Sequence, residues 1–189
     1  MAFTVSDFRK NMIGDGARPA LFEVKINPKS GIWSTDLSGL NFKCKATSLP
    51  ASNIGSKTIS YFGHDVHFAG DRTFDDWSIT IYNDEDFKIR KAFEQWMDAI
   101  DMHSQPGAVR GNQFTTNPSD YTSDGYVLQY GKKGDVIKSY KFVELWPSSI
   151  SDIGVDWDSK DDIEQFTVTF KYDYYESLTD TDSSSSITH

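Results

Sequence analysis

The stretch Gln165-Phe166-Thr167-Val168-Thr169-Phe170-Lys171-Tyr172-Asp173-Tyr174 decides the fold class. Phe166, Val168, Phe170, Tyr172 and Tyr174 alternate with Thr167, Thr169, Lys171 and Asp173. Successive side chains of a strand point to opposite faces, so this period of two predicts one half-buried strand over 166–174. The same pattern recurs upstream. Phe22, Val24 and Ile26 alternate with Glu23 and Lys25; Phe42, Cys44 and Ala46 with Asn41, Lys43 and Lys45; Trp77, Ile79 and Ile81 with Ser78, Thr80 and Tyr82; Ile153, Val155 and Trp157 with Gly154 and Asp156. Residues 126–130 and 136–146 read as two strands about a Gly131-Lys132-Lys133-Gly134 hairpin turn, the second ended by Pro147.

One helix interrupts the strands. Asn83 is its expected N-cap, with Asp84, Glu85 and Asp86 in the positive first turn. Ile89, Phe93, Trp96, Met97 and Ile100 then form a single apolar stripe. The order of elements predicts a mainly β chain, an antiparallel two-sheet sandwich or barrel with one flanking α-helix. Residues 48–71 carry Pro50, Gly55, Gly63 and Gly70 around the β-like piece Thr58-Ile59-Ser60-Tyr61-Phe62, and read as a long extended loop or ribbon. Ordered loops of that length in compact domains are usually functional. Residues 27–39 and 108–124 read as polar loops, with a turn at Asn117-Pro118-Ser119-Asp120.

The 189 residues fit one domain, expected over 1–176, followed by an acidic, Ser-rich mobile tail over 177–189. A net charge of −9 argues against binding of a phosphate backbone as the main task, which needs clustered Lys and Arg. Aromatic residues reach 14%, a richness that suits strands and interfaces alike. No apolar run exceeds three residues, so no segment reads as a membrane-spanning helix. The N-terminus lacks a basic-then-apolar signal pattern, and the single Cys44 excludes an intramolecular disulfide. These features fit a chain made and folded in a cytoplasm, with Cys44 acting as a small buried apolar residue.

Chemistry-bearing residues form no complete constellation. His64 and His67 in His64-Asp65-Val66-His67 would face opposite ways on a strand and lack a third ligand at a diagnostic spacing. Gly55-Ser56-Lys57-Thr58 lacks the consecutive Gly-Lys-Ser/Thr of a phosphate loop. Asp71, Asp75 and Asp76 crowd around Arg72, yet nothing completes an acid–base pair. Asp156, Asp158, Asp161 and Asp162 lack the glycine and terminal Glu of a Ca²⁺ loop. No Ser occupies a Gly-x-Ser-x-Gly elbow. No catalytic, cofactor or metal residue is assigned, and a structural or binding module is the expected class.

Several stretches together resemble the tail tube family of T4-like contractile-tailed phages. They are Ala17-Arg18-Pro19 before Leu21-Phe22-Glu23-Val24, Phe42 through Pro50, Ala69-Gly70-Asp71-Arg72-Thr73-Phe74-Asp75-Asp76-Trp77, Leu145-Trp146-Pro147, Asp156-Trp157-Asp158-Ser159 and the final strand. The resemblance covers roughly 17–176. It marks Arg18, Pro19, Asp71, Arg72, Phe74, Asp75, Trp77, Trp146, Pro147 and Trp157 as structural motif residues. The 27–39 loop, the 108–124 region and the 177–189 tail depart from the family pattern.

The resemblance implies six-subunit rings stacked into a hollow tube in a virion tail. It implies sheath, baseplate, tail terminator and tape-measure proteins as partners, and DNA that passes through the bore without specific binding. A ring of head-to-tail copies needs two different complementary patches. The 48–71 excursion is expected to reach a neighbour through Leu49, Pro50, Ile59, Tyr61, Phe62, His64 and His67. Carboxylates lining the bore would repel phosphate. Three other readings are carried: the tube of a non-phage injection machine delivering protein effectors, a monomeric carbohydrate-binding β-sandwich, and a hydrolase using Asp71, Asp75 or Asp76.

Overall fold

Alternation decides which side of each strand meets the core, and the burial of the strands follows it closely. The computed structural model describes residues 4–12, 16–27, 37, 39–100, 118–158 and 162–178. In chain order the elements are α1 (Val5–Asn11), β1 (Phe22–Asn27), α2 (Leu40–Lys43), β2 (Cys44–Thr47), β3 (Ser52–Tyr61), β4 (His64–Phe74), β5 (Trp77–Tyr82), α3 (Lys88–Ile100), α4 (Pro118–Tyr121), β6 (Ser123–Tyr130), β7 (Val136–Ile150), β8 (Gln165–Lys171) and β9 (Tyr174–Leu178). All strand pairs are antiparallel.

One strand belongs to two layers. The first part of β7 lies between β6 and β9, with β1 outside β6; its last part pairs with β8, followed by β5 and β2. The chain bends between these halves at Glu144, which takes the left-handed φ of 54°. The strand therefore does not end at Pro147 as the sequence predicts. The register slips between Pro147 and Ser149, and a bulge is where a residue without an N–H fits a ladder.

Inward residues of both layers meet in one core. Val24, Ile26, Val127 and Phe142 come from the first layer, and Trp77, Ile79, Ile81, Phe166, Val168 and Phe170 from the second. The α3 helix adds Ile89, Ala92, Phe93 and Trp96, and the Trp96 indole N–H donates to the Tyr121 carbonyl at 2.7 Å. Trp77 is the junction. Its ring stacks on Phe142 at 4.4 Å and lies 5.3 Å from Phe170, so it bridges the layers. Its indole N–H donates to Thr47 Oγ1 at 2.9 Å and to the Ser48 carbonyl at 3.1 Å, at the point where β2 ends.

Four local expectations are corrected. Phe42 lies on the short α2 helix and is 88% exposed, so the second strand begins only at Cys44. Asn83 does not cap the helix: its N–H donates to the Glu164 carbonyl at 2.8 Å, extending the β5–β8 pairing by one residue. Asp86 accepts from the Lys88 N–H instead, and the helix starts there. Residues 153–157 form no strand, because the chain leaves the sheet after Ser151 donates to Thr167, and Val155 and Trp157 stand in solvent. The final strand is two strands. After Lys171 the chain crosses layers, Asp173 donates to the Val143 carbonyl, and β9 turns Tyr175 rather than Tyr174 toward the core.

The sequence pattern gives no sign of α1, which Thr4 caps by accepting from the Asp7 N–H, and the turn expected at 117–120 is a helical one, α4. Cys44 is half-buried, and burial pushes its thiol up to about 11. Strand β9 runs on through Leu178. Most of the 27–39 and 108–124 loops, and the tail beyond Leu178, lie outside the described residues.

Trp77→Ala removes contacts to both layers and strands two hydrogen-bond acceptors. It is expected to cost about 3–5 kcal/mol in denaturant unfolding; a loss below about 1 kcal/mol would contradict the junction role.

Candidate assembly surface

The 48–71 excursion is a β-ribbon, formed by β3 and β4, that pairs with no other strand among the described residues. Its turn has φ of 49° at Phe62 and 76° at Gly63. Positive φ at both central residues is the turn whose twist matches a two-residue hairpin. Halfway down, the register shifts between Ile54 and Ser56. A Cβ on Gly70 would sit 3.0 Å from the Gly55 carbonyl oxygen, so this close approach of two backbones requires glycine.

The ribbon has two unlike faces. Cross-strand partners Lys57 and Phe68, Ile59 and Val66, and Tyr61 and His64 share one face; Ser56 and Ala69, Thr58 and His67, and Ser60 and Asp65 share the other. The second face satisfies its own polar groups: Thr58 Oγ1 and His67 Nδ1 lie 3.0 Å apart, and Ser60 donates to Asp65. The first presents Ile59, Tyr61, Val66 and Phe68 to solvent, and the tip adds Phe62, 86% exposed and edge-on to Tyr61. An isolated two-stranded ribbon is marginal in water, and its apolar face gains stability only when another surface covers it.

The root is held firmly. Phe74 packs against Tyr172 and Tyr175, at 6.0 and 5.5 Å between ring centres. Asn53 Nδ2 donates to both oxygens of Asp75 at 3.2–3.3 Å, Lys171 pairs with Asp76 at 2.6 Å, and Tyr175 donates to Ser52 at 3.4 Å. A cavity of about 230 Å³ lies between Leu49, Pro50, Asp75, Asp76, Trp77 and Tyr172.

The residues expected at contacts therefore divide. Ile59, Tyr61 and His64 lie on the apolar face with Phe62 at its tip, His67 lies on the polar face, and Leu49 and Pro50 lie at the root. The sequence reading missed Val66 and Phe68, although their register opposite Ile59 and Lys57 follows once the turn is placed at Phe62-Gly63.

The motif residues fall at structural junctions. Arg18 and Pro19 form the turn into β1, where Leu21 donates back to the Arg18 carbonyl. Trp146 meets Tyr121 edge-on at 6.4 Å, and Pro147 is buried at the bulge. Asp71 and Arg72 are exposed neighbours on β4, and Trp157 is exposed in the β7–β8 connection. Asp75 and Asp76 are engaged by different partners and share no common target. Among the described residues, no three His, Cys, Asp or Glu side chains converge as a metal would require. No helix among them is long and apolar enough to cross a membrane.

Two open-edged layers carrying a firmly rooted ribbon with an uncovered apolar face define a structural subunit. Residues 17–178 match the family of phage tail tube proteins, and the chain belongs to that family. It is 34% identical over 165 residues to the tail tube protein gp19 of Enterobacteria phage T4, covering 86% of this chain and 93% of the T4 protein. Two solved chains share the fold. One is from the sheath/tube terminator of the extracellular contractile injection system PVC, in the extended state (TM-score 0.62, 10% identity, 87% of this chain and 97% of that one). The other is from the same system's sheath–tube complex (TM-score 0.52, 12% identity, 94% and 99%).

The root carries a pH signature. Burial first, and then the nearby Tyr175, Asp75 and Asp76, push the Tyr172 hydroxyl up to about 12. Its oxygen is buried with no hydrogen-bond partner among the described residues. A raised phenol contributes stability in full below its ordinary value of 10 and loses it as pH climbs toward 12. Tyr172→Phe is expected to leave stability at pH 7 within about 1 kcal/mol of the parent or above it, because an unpaired buried hydroxyl is removed. It should also flatten the fall in thermal midpoint between pH 10 and 12; an unchanged alkaline slope would contradict this.

Proposed function

We propose that the chain forms hexameric rings that stack into the hollow inner tube of a contractile phage tail, through which genomic DNA is delivered. The observation that carries this reading is the β3–β4 ribbon, whose apolar face meets nothing among the described residues. A neighbouring subunit, within the ring or in the next one, covers Ile59, Tyr61, Phe62, Val66 and Phe68, with His64 beside them and His67, Leu49 and Pro50 flanking.

The open edges fit the same assembly. The first layer ends at β1 and β9, the second at β2 and the last part of β7. Edges of neighbouring copies pair and close a large barrel, which leaves few unpaired backbone groups. The net charge of −9 supports a bore that repels DNA phosphate. A surrounding sheath, a baseplate that starts the tube, a terminator that ends it and a tape-measure protein within it complete the assembly. The T4 relative is named a tail tube protein, which favours phage delivery over export of protein effectors. Assembly of such a virion part takes place in the host cytoplasm.

Negative-stain electron microscopy of the purified protein, alone and seeded with a matching baseplate, tests the reading. Six-fold rings or hollow tubes are expected from the parent. Ile59→Asp with Phe68→Asp should abolish them while leaving the circular dichroism spectrum unchanged. A protein that stays monomeric with the baseplate present would overturn the proposal.

A further inference from the structure

A second pair of complementary surfaces lies at opposite ends of β7. At its start, a groove of about 600 Å³ opens between the turn into β1 and the β6–β7 hairpin. Ala17, Leu21 and Ile137 give it an apolar floor, and Arg18, Lys132 and Lys133 are exposed along its rim. Asp135 also lines it, tucked beside Gly131.

Beyond the other end of β7, the connection to β8 carries Trp157, 97% exposed, next to Val155, 83% exposed. Asp156 and Asp158 flank the indole, and Asp156 Oδ1 accepts from the Asp158 N–H at 3.1 Å, which shapes the turn that presents it. A fully exposed tryptophan between carboxylates is matched in chemistry by an apolar groove with a basic rim.

The two surfaces sit on the connections at the two ends of β7. Fifteen residues of β7 separate them, and a strand rises about 3.3 Å per residue. Two unlike, complementary patches are what a head-to-tail contact requires.

We propose that Trp157 of one copy docks in the Arg18–Lys132–Lys133 groove of a second copy, with Asp156 and Asp158 meeting the basic rim. This rests on the ring-and-tube reading, in which unlike patches of neighbouring copies meet. Burying the indole supplies the affinity, and the charges select the orientation.

Disulfide trapping of the full-length chain tests the contact. In a Cys44→Ala background, Val155→Cys beside Trp157 and Lys133→Cys on the groove's rim put one thiol on each surface and leave Trp157, Arg18 and Lys132 in place. Mild oxidation of the double variant is expected to give a ladder of covalent oligomers on a non-reducing gel, and either single variant none. Asp156→Lys with Asp158→Lys should lower the yield about tenfold, and adding Arg18→Glu with Lys132→Glu should restore it. Electron microscopy of the same samples separates the two ideas. Rings or tubes without a ladder overturn the docking and leave the ring reading standing. Neither rings nor a ladder overturns both. A ladder without rings keeps the docking and sinks the ring, and a yield unmoved by charge reversal overturns the docking.

Discussion

The packing of Trp77 is the constraint on which the rest depends. Its ring stacks on Phe142 of one layer beside Phe170 of the other, and its N–H fixes the end of β2. Three residues earlier, Phe74 is clasped by Tyr172 and Tyr175, where the chain changes layers. The closure of the core and the anchoring of the ribbon are therefore one event. A ribbon anchored this way presents its apolar face in a fixed direction, which is what a repeating contact between identical subunits demands.

The fold spends its order unevenly. The core side chains are buried almost completely, whereas the apolar ribbon face, Trp157 and the Val5 and Phe8 side chains of α1 stand in solvent. Scattered apolar groups on a surface are ordinary, but a continuous face along a projecting ribbon is not. Among the described residues β1 and β2 are also edge strands, each paired with a strand on one side. A free subunit carries these features at a cost in solubility and stability.

Most of the layered architecture was legible from alternation. Val24, Ile26, Ile79, Ile81, Phe166, Val168 and Phe170 are buried where the period of two placed them. The errors share one cause: alternation records which residues are apolar and not whether a neighbouring strand exists to pair with. Ile153, Val155 and Trp157 alternate yet find no partner strand. Residues 166–174 alternate across a layer change that a single-strand pattern conceals. The bend at Glu144 and the bulge at Pro147 leave no mark beyond a proline, which read as an ending. At the assembly surface, Ile59, Tyr61 and Phe62 could be read from the β-like piece, but Val66 and Phe68 needed the hairpin register to place them on the same face.

The central claim is that the apolar ribbon face is covered only in the assembly. Hydrogen–deuterium exchange followed by mass spectrometry, comparing free subunit with assembled tube over peptides spanning residues 52–74, tests it most directly. The account predicts that amides near the ribbon tip exchange readily in the free subunit and become strongly protected in the tube, while those of β5 and β8 are protected in both. Tip amides that exchange equally fast in both states would contradict it.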